Sequence, residues 1–254
     1  MTDPNGISLN LPFLATIVSA IVNLKQQGHR VILVTSGAVS TGCIALKMKD
    51  RPKDLIVKQA VAAVGQSKLM QNYDELFSLY NQPIAQLLMC RHNFKQNRHH
   101  TNSLNTLNQL IDMGIVPIVN ENDTVAVEEL QIGDNDTLSA LVASMVEADL
   151  LVLLTDVEAL YTSDPNQNPN ATPIRKVDNI DQTVVDVGGG GKWGTGGMAT
   201  KIQAARIACA AGVTTIICAA ARVEMISKLC TENNFDVGTT FTAASTNAGP
   251  QRST

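Results

Sequence analysis

Ile115-Val116-Pro117-Ile118-Val119 runs directly into Asn120-Glu121-Asn122-Asp123. The first five residues are apolar without alternation and too few for a helix, so they predict a strand buried on both faces. The next four are turn formers, so the strand delivers polar side chains at its carboxyl end. The same grammar recurs along the chain. Val31 to Val34 closes on Thr35-Ser36-Gly37, and Leu150 to Leu154 closes on Thr155-Asp156. Ile84 to Met89 and Val213 to Cys218 are further short apolar runs. Helical stretches separate them: Leu55 to Leu79, Asn102 to Asp112, Thr137 to Glu147 and Ala199 to Ala211. Strands alternating with helices imply right-handed crossovers. The expected fold is therefore α/β, a three-layer α/β/α sandwich with a mainly parallel central sheet.

The 254 residues are 44% hydrophobic but only 4% aromatic, so aliphatic side chains must fill the core. A net charge of −4 gives no general attraction to a phosphate backbone, which argues against nucleic acid as a partner. Five scattered cysteines without a Cys-x-x-Cys pair read as reduced thiols. His99 and His100 are expected in a solvated turn beside Arg98. Near the start, Leu14, Ile17, Val18, Ile21 and Leu24 recur at helical spacing behind Asn10 and Pro12, with Gly28 as a stop. The first basic residue is Lys25, so this helix lacks the positive flank of a signal peptide. No run approaches a membrane span, and a cytoplasmic protein is expected.

Val125, Val127 and Leu130 among acidic residues suggest a hairpin between Thr124 and Ile132. Asp164 to Pro173, rich in Pro and Asn, reads as a surface loop. No linker divides the chain, which is read as a single domain over 1–254, at most with two lobes.

In an open α/β sheet, ligands bind beyond the carboxyl ends of the strands. Ser36-Gly37, Asn120 to Asp123, Thr155-Asp156 and the helix-opening Gly133-Asp134-Asn135-Asp136 all fall there. Val187 to Gly197 holds seven of the 17 glycines and runs into Met198-Ala199-Thr200-Lys201. Such a segment lets backbone N–H groups approach a phosphate, the helix start adds a positive dipole, and Lys201 supplies a point charge. Its G-x-G-x-x-G match is discounted as a dinucleotide fingerprint. No buried strand precedes it, and the strand Val213 to Cys218 ends on Ala-Ala-Ala without an acid for a ribose. Acids, amides and a phosphate cradle on one edge suit an ammonium-bearing small molecule and a nucleotide with Mg²⁺, hence phosphoryl transfer.

At these motifs the sequence resembles the amino acid kinase family, and within it the glutamate 5-kinases. Val-Thr-Ser-Gly-Ala-Val (34–39), Ala-Val-Gly-Gln-Ser (63–67), Ile-Val-Pro-Ile-Val-Asn-Glu-Asn-Asp-Thr (115–124), Gly-Asp-Asn-Asp (133–136), Leu-Leu-Thr-Asp-Val (153–157) and Gly-Thr-Gly-Gly-Met-Ala-Thr-Lys (194–201) occur in the family's order. The resemblance spans about Gly28 to Phe241. It implies ATP-dependent phosphorylation of the L-glutamate γ-carboxylate, the first step of proline synthesis, with Mg²⁺ carried mainly on the nucleotide phosphates. Carried over, it places Ser36, Asp123 and Asn135 on glutamate. Thr155, Asp156, Thr195, Gly196, Gly197, Met198, Ala199, Thr200 and Lys201 fall on the nucleotide. Lys201 then becomes a catalytic cation and Asp136 the acid that orients it. A homo-oligomer, dimer or tetramer, and feedback inhibition by proline are further implied.

Family members open with a buried strand bearing a lysine and a glycine turn. Here Asp3-Pro4-Asn5-Gly6 resembles the family's segment just beyond that turn, so the first strand and the first of two catalytic lysines are expected to be missing. The chain stops soon after Phe241, so a C-terminal PUA module is expected to be absent, with 243–254 a disordered tail. The alternative reading is a noncatalytic relative that binds an amino acid and assembles with an active partner.

Overall fold

A computed structural model describes residues 9–90, 92–95, 97–125, 134–163, 168–180, 197–226 and 237–243. The chain divides into two compact units, Met1–Asn135 and Asp136–Thr254.

The first unit opens with helix α1, Leu11–Gln26. Asn10 caps it by accepting the Phe13 N–H at 3.1 Å, and Pro12 sits in the first turn, where a missing N–H costs nothing. Gly28, at φ +89°, carries the left-handed turn that ends the helix. The predicted stripe is the buried one: Leu14 and Val18 are fully enclosed, and Ile17, Ile21 and Leu24 nearly so. Then come β1 (Leu33–Val34), α2 (Ala38–Ala45), α3 (Leu55–Ser78), β2 (Ile84–Met89), α4 (His92–Lys95), α5 (Asn97–Asp112) and β3 (Val116–Glu121). The strands form one parallel ladder in the order β1-β3-β2.

Central β3 is buried from Val116 through Asn120, as its apolar run requires. The other two strands depart from that expectation. β2 lies at the edge of the ladder and exposes Gln86 and Leu88; reading the run as continuously apolar overlooked Gln86 and overstated its burial. β1 pairs only through Leu33 and Val34 and is half the predicted length. His99 and His100 belong to α5 rather than to a turn, because that helix starts at Asn97, five residues before its apolar periodicity becomes visible.

Helices α2 and α3 touch through backbone. A Cβ on Gly42 would overlap the Val61 carbonyl, and one on Gly65 the Ala38 carbonyl. Glycine at both positions lets Ala38, Val39, Val61 and Ala62 close into one apolar cluster. Further along α3, buried Tyr73 places its hydroxyl 2.9 Å from Thr35 Oγ1. Burial pushes that phenol up to about 12, so it stays a neutral hydrogen-bonding group that ties the end of β1 to α3.

The second unit contains α6 (Asn135–Met145) beyond its first residue, β4 (Leu150–Thr155), β5 (Leu160–Tyr161), β6 (Pro173–Ile174), β7 (Lys176–Val177), α7 (Met198–Ala210), β8 (Thr214–Ala219), a 3₁₀ turn (Ala220–Met225) and β9 (Thr239–Phe241). The main ladder runs β4-β8-β9-β7, parallel except between β8 and β9. Both of its faces are covered, as strands without alternation demand. Leu151, Leu153 and Ile217 pack with Ala140, Ala204, Ala208 and Phe241. Ile216 and Cys218 pack on the other side with Val152, Leu154 and Val237. Fully enclosing side chains such as Ile216, Ile217 and Phe241 contributes roughly 2–3 kcal/mol each.

Mainly parallel pairing is therefore found, distributed over two principal ladders. The described part of the proline-rich segment is a surface turn: Asn168 Oδ1 accepts the Asn170 N–H at 3.0 Å. It returns into a short β5–β6 antiparallel pair. Most of the expected 124–132 hairpin and of the 243–254 tail lies outside the described residues, as does most of the glycine-rich 187–197 segment. Cys43, Cys90, Cys209 and Cys218 are free thiols, and burial raises Cys209 and pushes Cys218 up to about 11. No helix among the described residues is long and apolar enough to cross a membrane.

Candidate active site

Connectivity fixes where the polar turns fall in each unit. In the second, α6 leads into the start of β4 and α7 into the start of β8, and those strands are parallel. Both helix N-termini therefore lie at the carboxyl edge of the ladder, the edge on which Thr155 and Asp156 end β4. Asp136 occupies the first turn of α6, where an acid complements the helix dipole. Lys201 occupies the first turn of α7, where a cation opposes it.

The two meet. Lys201 Nζ lies 2.9 Å from Asp136 Oδ2, with only 9% and 18% of the side chains exposed. The Thr200 hydroxyl is 2.9 Å from the same oxygen and 2.7 Å from the Gly197 carbonyl. Ser139 Oγ donates to the Asp136 carbonyl at 2.6 Å. One carboxylate oxygen thus gathers an ammonium and a hydroxyl at the mouth of α7. That helix starts on Gly197, which has no side chain with which to cap it. Met198 and Ala199 form its first turn, so backbone N–H groups, helix dipole and Lys201 add positive potential at one point. Next along the edge, Thr155 Oγ1 donates to Asp156 Oδ1 at 3.1 Å. Thr195 and Gly196 lie outside the described residues.

In the first unit, β1 and β3 are parallel, so Ser36 and the Asn120–Asp123 turn share one edge. Asp123 is half-buried. Burial pushes its carboxyl above the usual carboxylate range, while Lys58 and Arg51 pull it partly back. No direct bond joins Ser36 to Asp123 among the described contacts. Asn120, 2% exposed, is the junction of a chain of amides. It donates through Nδ2 to Gln66 Oε1 at 2.8 Å, and its Oδ1 accepts the Glu121 N–H at 2.9 Å and Asn135 Nδ2 at 3.3 Å.

In the sequence, Asn120 stands at the edge without an assigned role, and Gln66 appears only within the 63–67 run, also without one. The available signal was Gln66's position on α3, where it falls on the buried face with Val61, Ala62, Leu69 and Tyr73. A glutamine on an apolar stripe demands a buried partner. Among the described residues, no group of three or more His, Cys, Asp or Glu side chains could hold a metal ion.

A parallel-rich α/β chain with two helix N-termini at its strand ends, one bearing a paired lysine, is an amino acid kinase fold, and the chain belongs to the amino acid kinase family, whose model matches residues 1–220. Among curated relatives, glutamate 5-kinase of a Cyanothece species is 54% identical over 219 residues, covering 85% of this chain and 60% of the relative. That of a Picosynechococcus species is 50% identical over 246 residues, covering 96% and 65%. The chain thus spans about 60–65% of the length of these relatives. Among solved structures, the isopentenyl phosphate kinase of T. acidophilum in a product complex matches with TM-score 0.64 at 17% identity, covering 92% of each chain. The carbamate kinase of Giardia lamblia bound to AMP-PNP matches with TM-score 0.62 at 17% identity, covering 91% and 89%. These two establish the fold.

Proposed function

We propose that the chain transfers the γ-phosphoryl group of ATP to the γ-carboxylate of L-glutamate, giving L-glutamyl 5-phosphate and ADP, the first step of proline synthesis. The observation that carries this reading is the Asp136–Lys201 pair at the uncapped start of α7. A buried lysine whose ammonium is held by one carboxylate oxygen is pre-positioned, so little reorganisation is needed when negative charge arrives. The 50–54% identity to glutamate 5-kinases supports glutamate as the acceptor.

The two reactants are both anions, so the protein's task is positioning and charge neutralisation rather than covalent chemistry. Lys201 stabilises charge on the moving phosphoryl group, and Asp136 holds Lys201. Gly197, Met198 and Ala199 present backbone N–H groups to the phosphates with Thr200 beside them, its own N–H bonded to the Gly197 carbonyl at 3.1 Å; Thr155 and Asp156 contact the rest of the nucleotide, and Thr195 and Gly196 are assigned to the nucleotide as well. Mg²⁺ would arrive on the ATP phosphates and offset their charge. Ser36, Asp123 and Asn135 bind glutamate, Asp123 facing its ammonium. A homo-oligomer and proline inhibition at the amino acid site complete the reading.

The test is ADP release by the purified chain with MgATP. Turnover should require L-glutamate and fail with L-aspartate, which is one methylene shorter. ADP release indifferent to added glutamate overturns the proposal.

Asp123 confers a pH dependence. Its ionised form alone pairs with an ammonium, and that form is lost as pH falls through its raised folded-state pKa. The glutamate KM should therefore climb on acidification from a higher pH than an ordinary carboxylate would give. Lys58→Met removes a cation that favours the ionised form. It should move that limb to still higher pH, as KM profiles of the two proteins would show; superimposable profiles would dissociate Asp123 from the ammonium.

A further inference from the structure

The chain of amides on the first unit has a polarity that can be worked out from one atom whose character is never in doubt. The Glu121 backbone N–H is a donor, so the Asn120 atom it meets at 2.9 Å must be the oxygen. Asn120 Nδ2 is thereby turned toward α3, where it needs an acceptor, and Gln66 Oε1 supplies it at 2.8 Å. The same Asn120 oxygen faces Asn135, so the atom Asn135 offers at 3.3 Å must be its Nδ2. Every orientation in the series is thus set by the donor–acceptor parity of the one before it.

Two atoms are left over. Asn135 Oδ1 and Gln66 Nε2 are buried and have no hydrogen-bond partner among the described residues. A buried polar atom without a partner costs roughly 1–3 kcal/mol. Gln66 is 9% exposed on the apolar stripe of α3 and bears such a cost at Nε2 for the sake of the bond made by Oε1. An aliphatic residue in its place would pack without that penalty but would leave Asn120 Nδ2 empty and its orientation held from one side only.

We infer that Gln66 is a positioning residue for amino acid recognition: through Asn120 it fixes the Asn135 side chain so that an amide oxygen, an acceptor, is presented to the substrate's ammonium group. The inference rests on the proposed glutamate-binding role of Asn135 and adds to it the polarity of the contact and a residue that, with the Glu121 N–H, holds it in place. An acceptor at this point favours a cationic amine; an Asn135 turned over would present a donor and repel it.

The test compares two ligands that differ only in the ammonium. Glutarate is the five-carbon diacid of glutamate without its amine and should act as a competitive inhibitor. In Gln66→Met, similar in shape but with no acceptor for Asn120, the KM for L-glutamate should rise about tenfold or more, corresponding to one charge-assisted hydrogen bond. The inhibition constant for glutarate and the KM for ATP should stay within about threefold. Gln66→Glu, which keeps an acceptor for Asn120 Nδ2, should recover most of the glutamate affinity. Thermal melts of both variants separate these effects from unfolding. Equal weakening of glutamate and glutarate, an unchanged glutamate KM, or no recovery in Gln66→Glu overturns the inference while leaving the glutamate kinase reading intact. Failure of the unsubstituted protein to use L-glutamate overturns both.

Discussion

Lys201→Met should lower kcat by about two to three orders of magnitude, the roughly 3–4 kcal/mol expected when a single preorganised donor to developing charge is removed. Methionine nearly preserves the length and apolar stem of lysine, so packing around the first turn of α7 survives. Asp136 keeps the Thr200 hydroxyl at 2.9 Å, so the carboxylate is not stranded. The KM for L-glutamate should change little, because Lys201 belongs to the phosphoryl side of the reaction. A steady-state comparison of kcat and both KM values decides the matter. A variant whose loss appears only in the ATP KM would show that Lys201 binds nucleotide equally in the ground and transition states.

Asp136→Ala carries the second large effect, and it is of a different kind. The carboxylate touches no reacting atom in the proposed mechanism; it holds Nζ of Lys201 at 2.9 Å and the Thr200 hydroxyl at the same distance. Its loss removes the acid that offsets a cation placed at the positive end of a helix dipole. We expect kcat to fall about a hundredfold, somewhat less than for Lys201→Met, as the ammonium takes up other positions. Folding stability should drop by about 2 kcal/mol, less than for a fully buried pair because the carboxylate retains some contact with water. The informative measurement is the double variant. If Asp136 acts through Lys201, Asp136→Ala combined with Lys201→Met should be no slower than Lys201→Met alone. Effects that multiply would mean that the two residues act independently.

The strand-and-turn grammar of Ile115 to Asp123 located β3 to within two residues, because a central strand buried on both faces leaves a continuous apolar run. The same reasoning overstated β2, whose run is broken by Gln86 and whose place at the edge of its ladder exposes Gln86 and Leu88. Periodicity records that a residue is apolar, whereas burial depends on neighbours chosen by topology. Helix starts proved hard for a related reason. α5 begins with polar Asn97 and Arg98, which carry no periodic signal and are recruited by propagation from the later turns of the helix.

For the candidate site, turn chemistry pointed to the carboxyl ends of the strands, and the glycine-rich entry to α7 drew attention to Lys201. The pairing of Lys201 with Asp136 joins residues 65 apart. No local rule supplies such a contact; here it was anticipated only through family resemblance. Gln66, present in the 63–67 run, carried no role there for a further reason. Its importance lies in the donor–acceptor sequence of a three-residue amide chain, and parity of that kind exists only once Asn120 and Asn135 are brought to it from 54 residues or more away along the chain.

The most direct test of glutamate phosphorylation is chemical trapping. Acyl phosphates react with hydroxylamine, so incubating the protein with MgATP, L-glutamate and hydroxylamine should yield γ-glutamyl hydroxamate in step with ADP, and Lys201→Met should suppress both together. ADP formed without hydroxamate, or hydroxamate undiminished in Lys201→Met, would contradict phosphoryl transfer to the γ-carboxylate under the control of this lysine.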